Sequence, residues 1–164
     1  MTEKEIDIHR ISLIVYDFDG VTTDNTVHVD QNGIESVIVN RSDGYAVARI
    51  RELGLKQIII STEKNPVVIK RAEKLNIPVI SGVDDKKTVL SQYCCENKIK
   101  LEEVLYIGND LNDCDAMTCV GYPCCPGDAE IEIQNISVWI SSCNGGHGVI
   151  RDLFRKLSAN LSKK

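Results

Sequence analysis

The sequence predicts a doubly wound α/β fold, in which helices cover both faces of a parallel, Rossmann-like sheet. Two observations predict it. Short apolar runs alternate along the chain with segments of helical periodicity, and the apolar runs show no polar face. The 164 residues are the length of one ordinary domain. We therefore expect residues 1–164 to form a single domain.

The apolar runs and the helical segments follow one another in a regular order. The predicted buried strands are residues 11–16, 57–60, 79–80, 104–107 and 138–140. The predicted helices are residues 45–53, 66–75, 87–97, 113–120 and 148–157. In such a fold the ligand site lies beyond the carboxyl ends of the strands, where the strand order reverses. Polar residues that follow a strand are therefore the functional candidates.

One stretch after the first strand departs from this alternation. Residues 27–29 and 34–39 contain alternating apolar side chains and flank the sequence Asp30-Gln31-Asn32-Gly33. Asn-Gly between such segments is typical of a tight hairpin turn. We expect a β-hairpin after the first strand.

The first strand ends in two carboxylates, Asp17 and Asp19, which emerge past the sheet edge because the chain turns away at Gly20. Paired carboxylates suit one divalent cation. An Asp followed by Gly also forms an ordinary turn. This motif alone therefore leaves both interpretations open.

Two single side chains follow the next strands. Ser61 could meet a phosphate oxygen or could cap the helix that begins near Pro66. Lys86 lies at the start of the following helix, where a lone lysine is usually just solvated. Each signal is weak by itself.

The run from Gly108 to Asp113 follows the most apolar strand and contains four oxygen-bearing side chains, Asn109, Asp110, Asn112 and Asp113. A plain turn does not need so many acidic groups, because their repulsion costs stability unless a cation offsets it. The run predicts a metal-related role.

The bulk composition excludes several classes of partner. The net charge is −5, whereas surfaces that bind nucleic acid are normally basic. No apolar run approaches the ~20 residues that a membrane span requires. The first seven residues lack the basic and apolar regions of a secretory signal. We expect a cytoplasmic protein that contacts neither nucleic acid nor membrane, with its seven cysteines as reduced thiols.

In this order, the four motifs resemble those of the haloacid dehalogenase superfamily of phosphatases, over residues 11–157. The resemblance implies a Mg²⁺-dependent enzyme whose nucleophile is Asp17, which forms an aspartyl phosphate. Asp19 would act as general acid and base, and its backbone carbonyl would bind the metal. Ser61 and Lys86 would hold the transferring oxygens.

The sequence departs from this family at one metal ligand. Most relatives have an aspartate directly after the glycine of the last motif, and this chain has Asn109. Either Asn109 binds magnesium through its neutral carbonyl oxygen, or Asp110 takes over that role. Asp113 would then support the ligand without binding the metal itself. Both alternatives stay open at the level of sequence.

Within the family, the chain resembles the branch without a cap domain, since no insertion larger than the hairpin is present. That branch acts on phosphorylated sugar acids and forms tetramers in which neighbouring subunits cover each site. It also includes the terminal domains of some sialic acid cytidylyltransferases. Residues 41–45 and 145–151 support the assignment, and the second segment resembles one that reaches a neighbouring site. A homotetramer is therefore expected.

The residues after the second motif favour one substrate group. Octulosonate phosphatases usually have Gly-Arg there, whereas this chain has Thr62-Glu63. The set Glu63, Arg71 and Lys74 resembles the nine-carbon group, in which Glu63 and Lys74 would contact the sugar and Arg71 its carboxylate across a subunit boundary. Arg71 and Lys74 could equally form a solvated helix face. A nonulosonate 9-phosphate is thus favoured over 3-deoxy-octulosonate 8-phosphate.

Two other classes remain as alternatives. A response-regulator receiver shares the fold and a phosphorylated aspartate, but its acceptor lies on the third strand, and here no such acceptor follows residues 79–80. A catalytically weak assembly module is conceivable because of Asn109. Against it, the chain keeps both carboxylates, the hydroxyl and the lysine in order.

Overall fold

A computed structural model describes residues 6–161. Within this range the strands are β1 (Leu13–Tyr16), β2 (His28–Val29), β3 (Glu35–Ser36), β4 (Lys56–Ile60), β5 (Val79–Ile80), β6 (Val104–Ile107), β7 (Tyr122–Cys125) and β8 (Trp139–Ile140). The α-helices of the same range are α1 (Arg41–Glu52), α2 (Val67–Leu75), α3 (Lys86–Glu96), α4 (Leu111–Met117), α5 (Ile131–Ile136) and α6 (Val149–Leu161).

Six strands form one parallel sheet in the order β5-β4-β1-β6-β7-β8. The chain builds the sheet outward from β1 in one direction and then, from β6 onward, in the other. The strand order therefore reverses at β1, and a crevice opens beyond its carboxyl end. The doubly wound fold predicted from the sequence is confirmed.

Each central strand is buried on both faces. Ile14 and Tyr16 of β1 belong to the core that is covered by α1, α2 and α6, whereas Leu13 and Val15 belong to the core under α3, α4 and α5. Because side chains alternate along a strand, this arrangement requires apolar residues at every position. It explains why the sequence showed no polar face.

The predicted hairpin after β1 is present, although its two strands are shorter than the sequence predicts. β2 and β3 pair in antiparallel fashion around the Asp30–Gly33 turn, with Gly33 at φ +76°. No cap domain interrupts the described residues. The prediction that residues 1–164 form one domain stays a prediction, and residues 1–5, which include most of the segment without a secretory signal, lie outside the described range.

Several elements differ from the sequence predictions, most clearly β7, α5 and α1. Strand β7 was not among the predicted strands, and it contains Pro123, which lacks an amide donor and is unusual in a central strand. Its carbonyl nevertheless accepts from Val138 N–H at 2.8 Å. The short helix α5 was also missed, and α1 begins four residues earlier than predicted because Asn40 caps it by accepting from Ser42 N–H at 2.8 Å.

Asp43, in the first turn of α1, links that helix to α6. Its Oδ1 accepts from Arg151 N–H at 3.0 Å, while Oδ2 is buried and has no hydrogen-bond partner among the described residues. Burial raises the pKa of Asp43 to about 6, although the Arg151 amide and the Arg71 charge act in the opposite direction. The ionised carboxylate is therefore less stable here than in the unfolded chain.

This burial predicts a pH-dependent effect of Asp43→Asn. The folded protein holds the Asp43 proton more tightly than the unfolded chain, so this residue's contribution to stability is full below pH 3.8 and is lost as the pH rises through about 6. Two pKa units correspond to ~3 kcal/mol. Urea unfolding from pH 4 to pH 7 should therefore shift in favour of the variant by up to that amount. A difference that is independent of pH would contradict the prediction.

Among the described residues, no helix is both long and apolar enough to cross a membrane.

Candidate active site at the carboxyl ends of the strands

The strand register brings the sequence motifs to one sheet edge. Tyr16 of β1 pairs with Ile59 of β4 on one side and with Ile107 of β6 on the other. Asp17 directly follows Tyr16, Ser61 follows Ile59 by two residues, and the glycine-rich loop follows Ile107. The three motifs therefore meet at the point where the strand order reverses.

Lys86 joins two of these motifs by ion pairs. Its Nζ lies 2.8 Å from Asp17 Oδ1 and 2.7 Å from Asp113 Oδ1. All three side chains are almost fully buried. Tyr106 also donates to Asp113 Oδ1, at 2.9 Å. Lys86 is thus a buried bridge between β1 and α4, and the interpretation of a lone solvated lysine is wrong.

The charges in this cluster do not balance. Two buried carboxylates face one ammonium group, and burial followed by the Asp113 charge raises the pKa of Asp17. Lys86 and the Phe18 amide, which donates to Asp17 Oδ1 at 2.7 Å, act in the opposite direction. A nucleophilic carboxylate must be ionised, so a further positive charge at this position would favour the reactive form.

Asn109 lies against the two aspartates of the first motif. One terminal atom of its amide is 2.9 Å from the Asp19 carbonyl oxygen and 3.3 Å from Asp17 Oδ2. Oriented with nitrogen there, the amide donates to both oxygens. Oriented with oxygen there, three oxygens converge on one point, as the ligands of an octahedral magnesium do. The donor set therefore fits Mg²⁺.

Gly20 makes this close approach of Asn109 possible. A Cβ atom on Gly20 would lie 2.0 Å from Asn109 Nδ2, and its φ of +79° favours glycine. Gly145 likewise permits a close approach to Gly20, since a Cβ atom on Gly145 would lie 2.2 Å from the Gly20 carbonyl oxygen. Segment 145–146 thus packs on its own chain, where Gly146 N–H donates to Val21 O at 3.0 Å.

The two aspartates of the last motif, Asp110 and Asp113, make different contacts. Asp110 caps α4, and its Oδ1 accepts from Leu111 N–H at 2.6 Å. Asp113 Oδ2 accepts from Asn109 N–H at 3.0 Å, while its Oδ1 is held by Lys86 and Tyr106. Asp113 therefore supports the loop, and Asn109, rather than Asp110, faces Asp17.

Asp19 lines the open side of the crevice, whereas Ser61 is buried. Asp19 is only partly buried, and burial followed by the charge of Glu63 raises its pKa, as suits a group that carries a proton. Ser61 is buried and its Oγ accepts from Glu63 N–H at 3.0 Å. A cleft of about 270 Å³ opens beside Asp19, between the hairpin and the loop after β4.

The three predicted substrate residues are not all in this cleft. Glu63 lines it, with Oε1 held by Asn65 N–H at 2.6 Å. Arg71 instead donates to Asn40 O at 2.9 Å, and Lys74 is an exposed residue of α2. Neither lines the cleft of its own chain, so their predicted contacts across a subunit boundary stay a prediction. The cleft also contains Glu35, which sequence reasoning missed because hairpin position alone does not indicate which side chains face a site.

Residues 49–153 match the family of haloacid dehalogenase-like hydrolases. The matched stretch begins in α1 and so does not include Asp17 and Asp19. A solved structure described as a HAD family hydrolase from Streptomyces avermitilis has 39% identity and a TM-score of 0.93, and the alignment covers 96% of this chain and 90% of that one.

Two further relatives carry more specific names. The chain is 26% identical to 3-deoxy-D-manno-octulosonate 8-phosphate phosphatase of Haemophilus influenzae, over 89% of this chain and 82% of that protein. It is 25% identical to N-acylneuraminate cytidylyltransferase A of Danio rerio over 87% of this chain, but spans only 34% of that longer protein. The Moraxella catarrhalis octulosonate phosphatase, solved with magnesium, phosphate and KDO, has 26% identity and a TM-score of 0.87, with 94% of both chains covered.

Proposed function

The chain belongs to the haloacid dehalogenase-like hydrolase family, and on that basis we propose that it is a magnesium-dependent phosphatase of phosphorylated keto-deoxy sugar acids. The observation that carries the proposal is the buried carboxylate of Asp17 at the strand-order reversal, ion-paired with Lys86 at 2.8 Å. The named relatives that hydrolyse octulosonate 8-phosphate support the same class of substrate.

In this proposal Asp17 attacks phosphorus in line, the phosphorus–oxygen bond to the sugar breaks, and an aspartyl phosphate forms. Asp19 gives its proton to the departing sugar oxygen. It then takes a proton from the water that attacks the aspartyl phosphate, which releases inorganic phosphate and restores Asp17. Ser61 and Lys86 hold the phosphoryl oxygens and offset the charge that develops on them.

Magnesium would be held by Asp17, the Asp19 carbonyl and Asn109, and when bound it supplies positive charge beside the phosphoryl group. We expect Asn109→Asp to bind Mg²⁺ about tenfold more tightly, since an added carboxylate strengthens the attraction, and Asn109→Ala to bind it more weakly. Isothermal titration with Mg²⁺ measures both. As a control, Asp110→Asn should leave the affinity nearly unchanged, and a larger loss there than in Asn109→Ala would assign the ligand to Asp110 instead.

For the substrate, we favour a nonulosonate 9-phosphate. Glu63 in the cleft, in place of the Gly-Arg of octulosonate phosphatases, and the similarity to a cytidylyltransferase of N-acylneuraminate support this choice. The second candidate, 3-deoxy-octulosonate 8-phosphate, is favoured by the named phosphatase relatives. Steady-state kinetics with both compounds distinguish them. A higher kcat/KM for the octulosonate would overturn the preference and leave the phosphatase assignment intact.

We also propose that the protein assembles as a homotetramer through the hairpin. Its side chains Val27, Val29, Ile34 and Ile38 are 50–64% exposed, and exposed apolar groups that lie so close together mark interaction surfaces. Light scattering of the wild type and of Val29→Lys with Ile34→Lys tests this. A monomeric wild type would refute it. The cytoplasm remains the proposed location, in keeping with seven free cysteines, and neither nucleic acid nor membrane is proposed as a partner.

A further inference from the structure

The cleft beside Asp19 has two walls that come from separate parts of the chain. One wall is the hairpin, with Glu35 on β3, and the other is the loop after β4, with Glu63 and Asn65. Asn65 Nδ2 lies 3.4 Å from Glu35 Oε2, so the walls meet through this pair. Because Asp19, two residues after Asp17, lines this cleft, the cleft lies where the part of a substrate next to its phosphate would extend.

The charge of the cleft is unusual for an enzyme whose substrate is an anion. Its ionisable lining residues are Asp19, Glu35 and Glu63, and no cationic side chain from residues 6–161 lines it. Lys86 lies behind Asp17 and is buried. Like charges repel each other, so a second anionic group of the substrate would be unfavourable beside the carboxylates of the cleft.

The same cleft suits a chain of hydroxyl groups. Carboxylate oxygens accept strong hydrogen bonds from hydroxyl donors, and both Glu35 and Asn65 present polar atoms at the rim. Val37 and Val67 add apolar surface against which the C–H groups of a carbon chain can pack. Uncharged polyol carbons, rather than a carboxylate or an aromatic ring, match this lining.

We propose that Glu35, oriented by Asn65, is a specificity-determining residue that binds the hydroxyl groups next to the phosphate and excludes substrates with a carboxylate there. The inference rests on the proposed function and makes it more specific: the sugar acid must carry its carboxylate many carbons away from its phosphate, beyond the cleft. A nine-carbon acid phosphorylated on its last carbon satisfies this condition, whereas 3-phosphoglycerate does not.

The test compares Glu35→Gln with wild type on four phosphate esters: a nonulosonate 9-phosphate, sorbitol 6-phosphate, 3-phosphoglycerate and p-nitrophenyl phosphate. We expect kcat/KM for both polyol esters to fall about tenfold, mainly through KM, since a hydrogen bond to a charged group contributes roughly 1.5 kcal/mol or more. The kcat/KM for 3-phosphoglycerate should rise severalfold, and that for p-nitrophenyl phosphate should stay within about twofold of the wild-type value. Glu132→Gln, an exposed glutamate on α5, is the matched control.

Asn65→Asp provides a variant that acts in the opposite direction. It keeps the side-chain oxygen that accepts from Val67 N–H at 3.1 Å and adds a negative charge beside Glu35. The kcat/KM of this variant for 3-phosphoglycerate should therefore be lower than that of wild type, by about tenfold relative to the value for p-nitrophenyl phosphate. An equal fall on all four esters in Glu35→Gln, or no change on any, would overturn the inference.

The two proposals can fail separately. If no sugar acid phosphate is hydrolysed, the proposed function is wrong, but the ratio of sorbitol 6-phosphate to 3-phosphoglycerate turnover still tests Glu35. If nonulosonate 9-phosphate is hydrolysed and Glu35→Gln leaves that ratio unchanged, only the role of Glu35 is wrong.

Discussion

Asp17→Asn is expected to lower kcat by at least ~10³-fold, because the variant keeps the shape of the side chain but removes the nucleophile. The amide oxygen can still accept the Phe18 N–H, which donates to Asp17 Oδ1 at 2.7 Å, so the fold should be preserved. Phosphate release from a sugar acid phosphate measures the effect. Asp84→Asn, on an exposed loop residue, should retain full activity.

The same experiment separates the phosphatase from its rivals. Wild-type enzyme quenched in acid during turnover should contain phosphate bound to Asp17, and the variant should contain none. A long-lived phosphoprotein without turnover would favour a receiver, and absence of any activity in the wild type would favour an assembly module. Activity retained by Asp17→Asn with an intact fold would refute the proposed mechanism.

Lys86→Met is expected to destabilise the protein by about 3–5 kcal/mol, the range for removing one partner of a buried ion pair. The change leaves Asp17 and Asp113, both almost fully buried, without their ammonium partner. In the wild type, burial alone would lower the pKa of Lys86, but the two carboxylates outweigh it and raise that pKa. The ammonium is thus fully charged at neutral pH. Urea unfolding in the presence of a chelator measures the loss.

The deficit of Lys86→Met should depend on pH in a defined direction. Without the ammonium, the buried carboxylate of Asp17, whose pKa is already raised by burial in the wild type, binds its proton still more tightly in the folded protein than in the unfolded chain. The variant therefore regains stability as the pH falls from 8 toward 5. Lys87→Met replaces an exposed lysine one residue further along and should change stability by less than ~0.5 kcal/mol. A loss of equal size in both variants would contradict a special role for Lys86.

Much of the fold follows from local patterns in the sequence. The alternation of apolar runs with helical segments predicted the doubly wound sheet, because a strand buried on both faces must be apolar at every position. Asn32-Gly33 predicted the hairpin turn. Local patterns predicted no strand at β7, which contains Pro123, and placed the start of α1 too late, because the capping oxygen of Asn40 lies several residues before the periodic segment.

The arrangement of the candidate site likewise follows in part from the sequence and in part from the tertiary structure. The sequence by itself determined that Asp17, Ser61, Lys86 and the loop after Gly108 lie at one sheet edge, because parallel strands end together. It could not decide between Asn109 and Asp110, which are adjacent acceptors of similar size. The tertiary structure separates their positions: α4 begins at Leu111, so the side chain of Asp110 caps the helix, and that of Asn109 is left facing Asp17.

Contacts between distant segments account for the rest. The bridge from Lys86 to Asp113 joins residues that are 27 apart in sequence, and Glu35 meets Asn65 across 30 residues. Neither pair has a local signature in the sequence. A lysine at a helix start is ordinarily solvated, and only tertiary packing buries Lys86. A glutamate on a hairpin is also ordinarily solvated, and only the tertiary structure places Glu35 beside a cleft. Sequence determined which strand ends carry the candidate site residues, and only the packed structure decided which side chains face each other there.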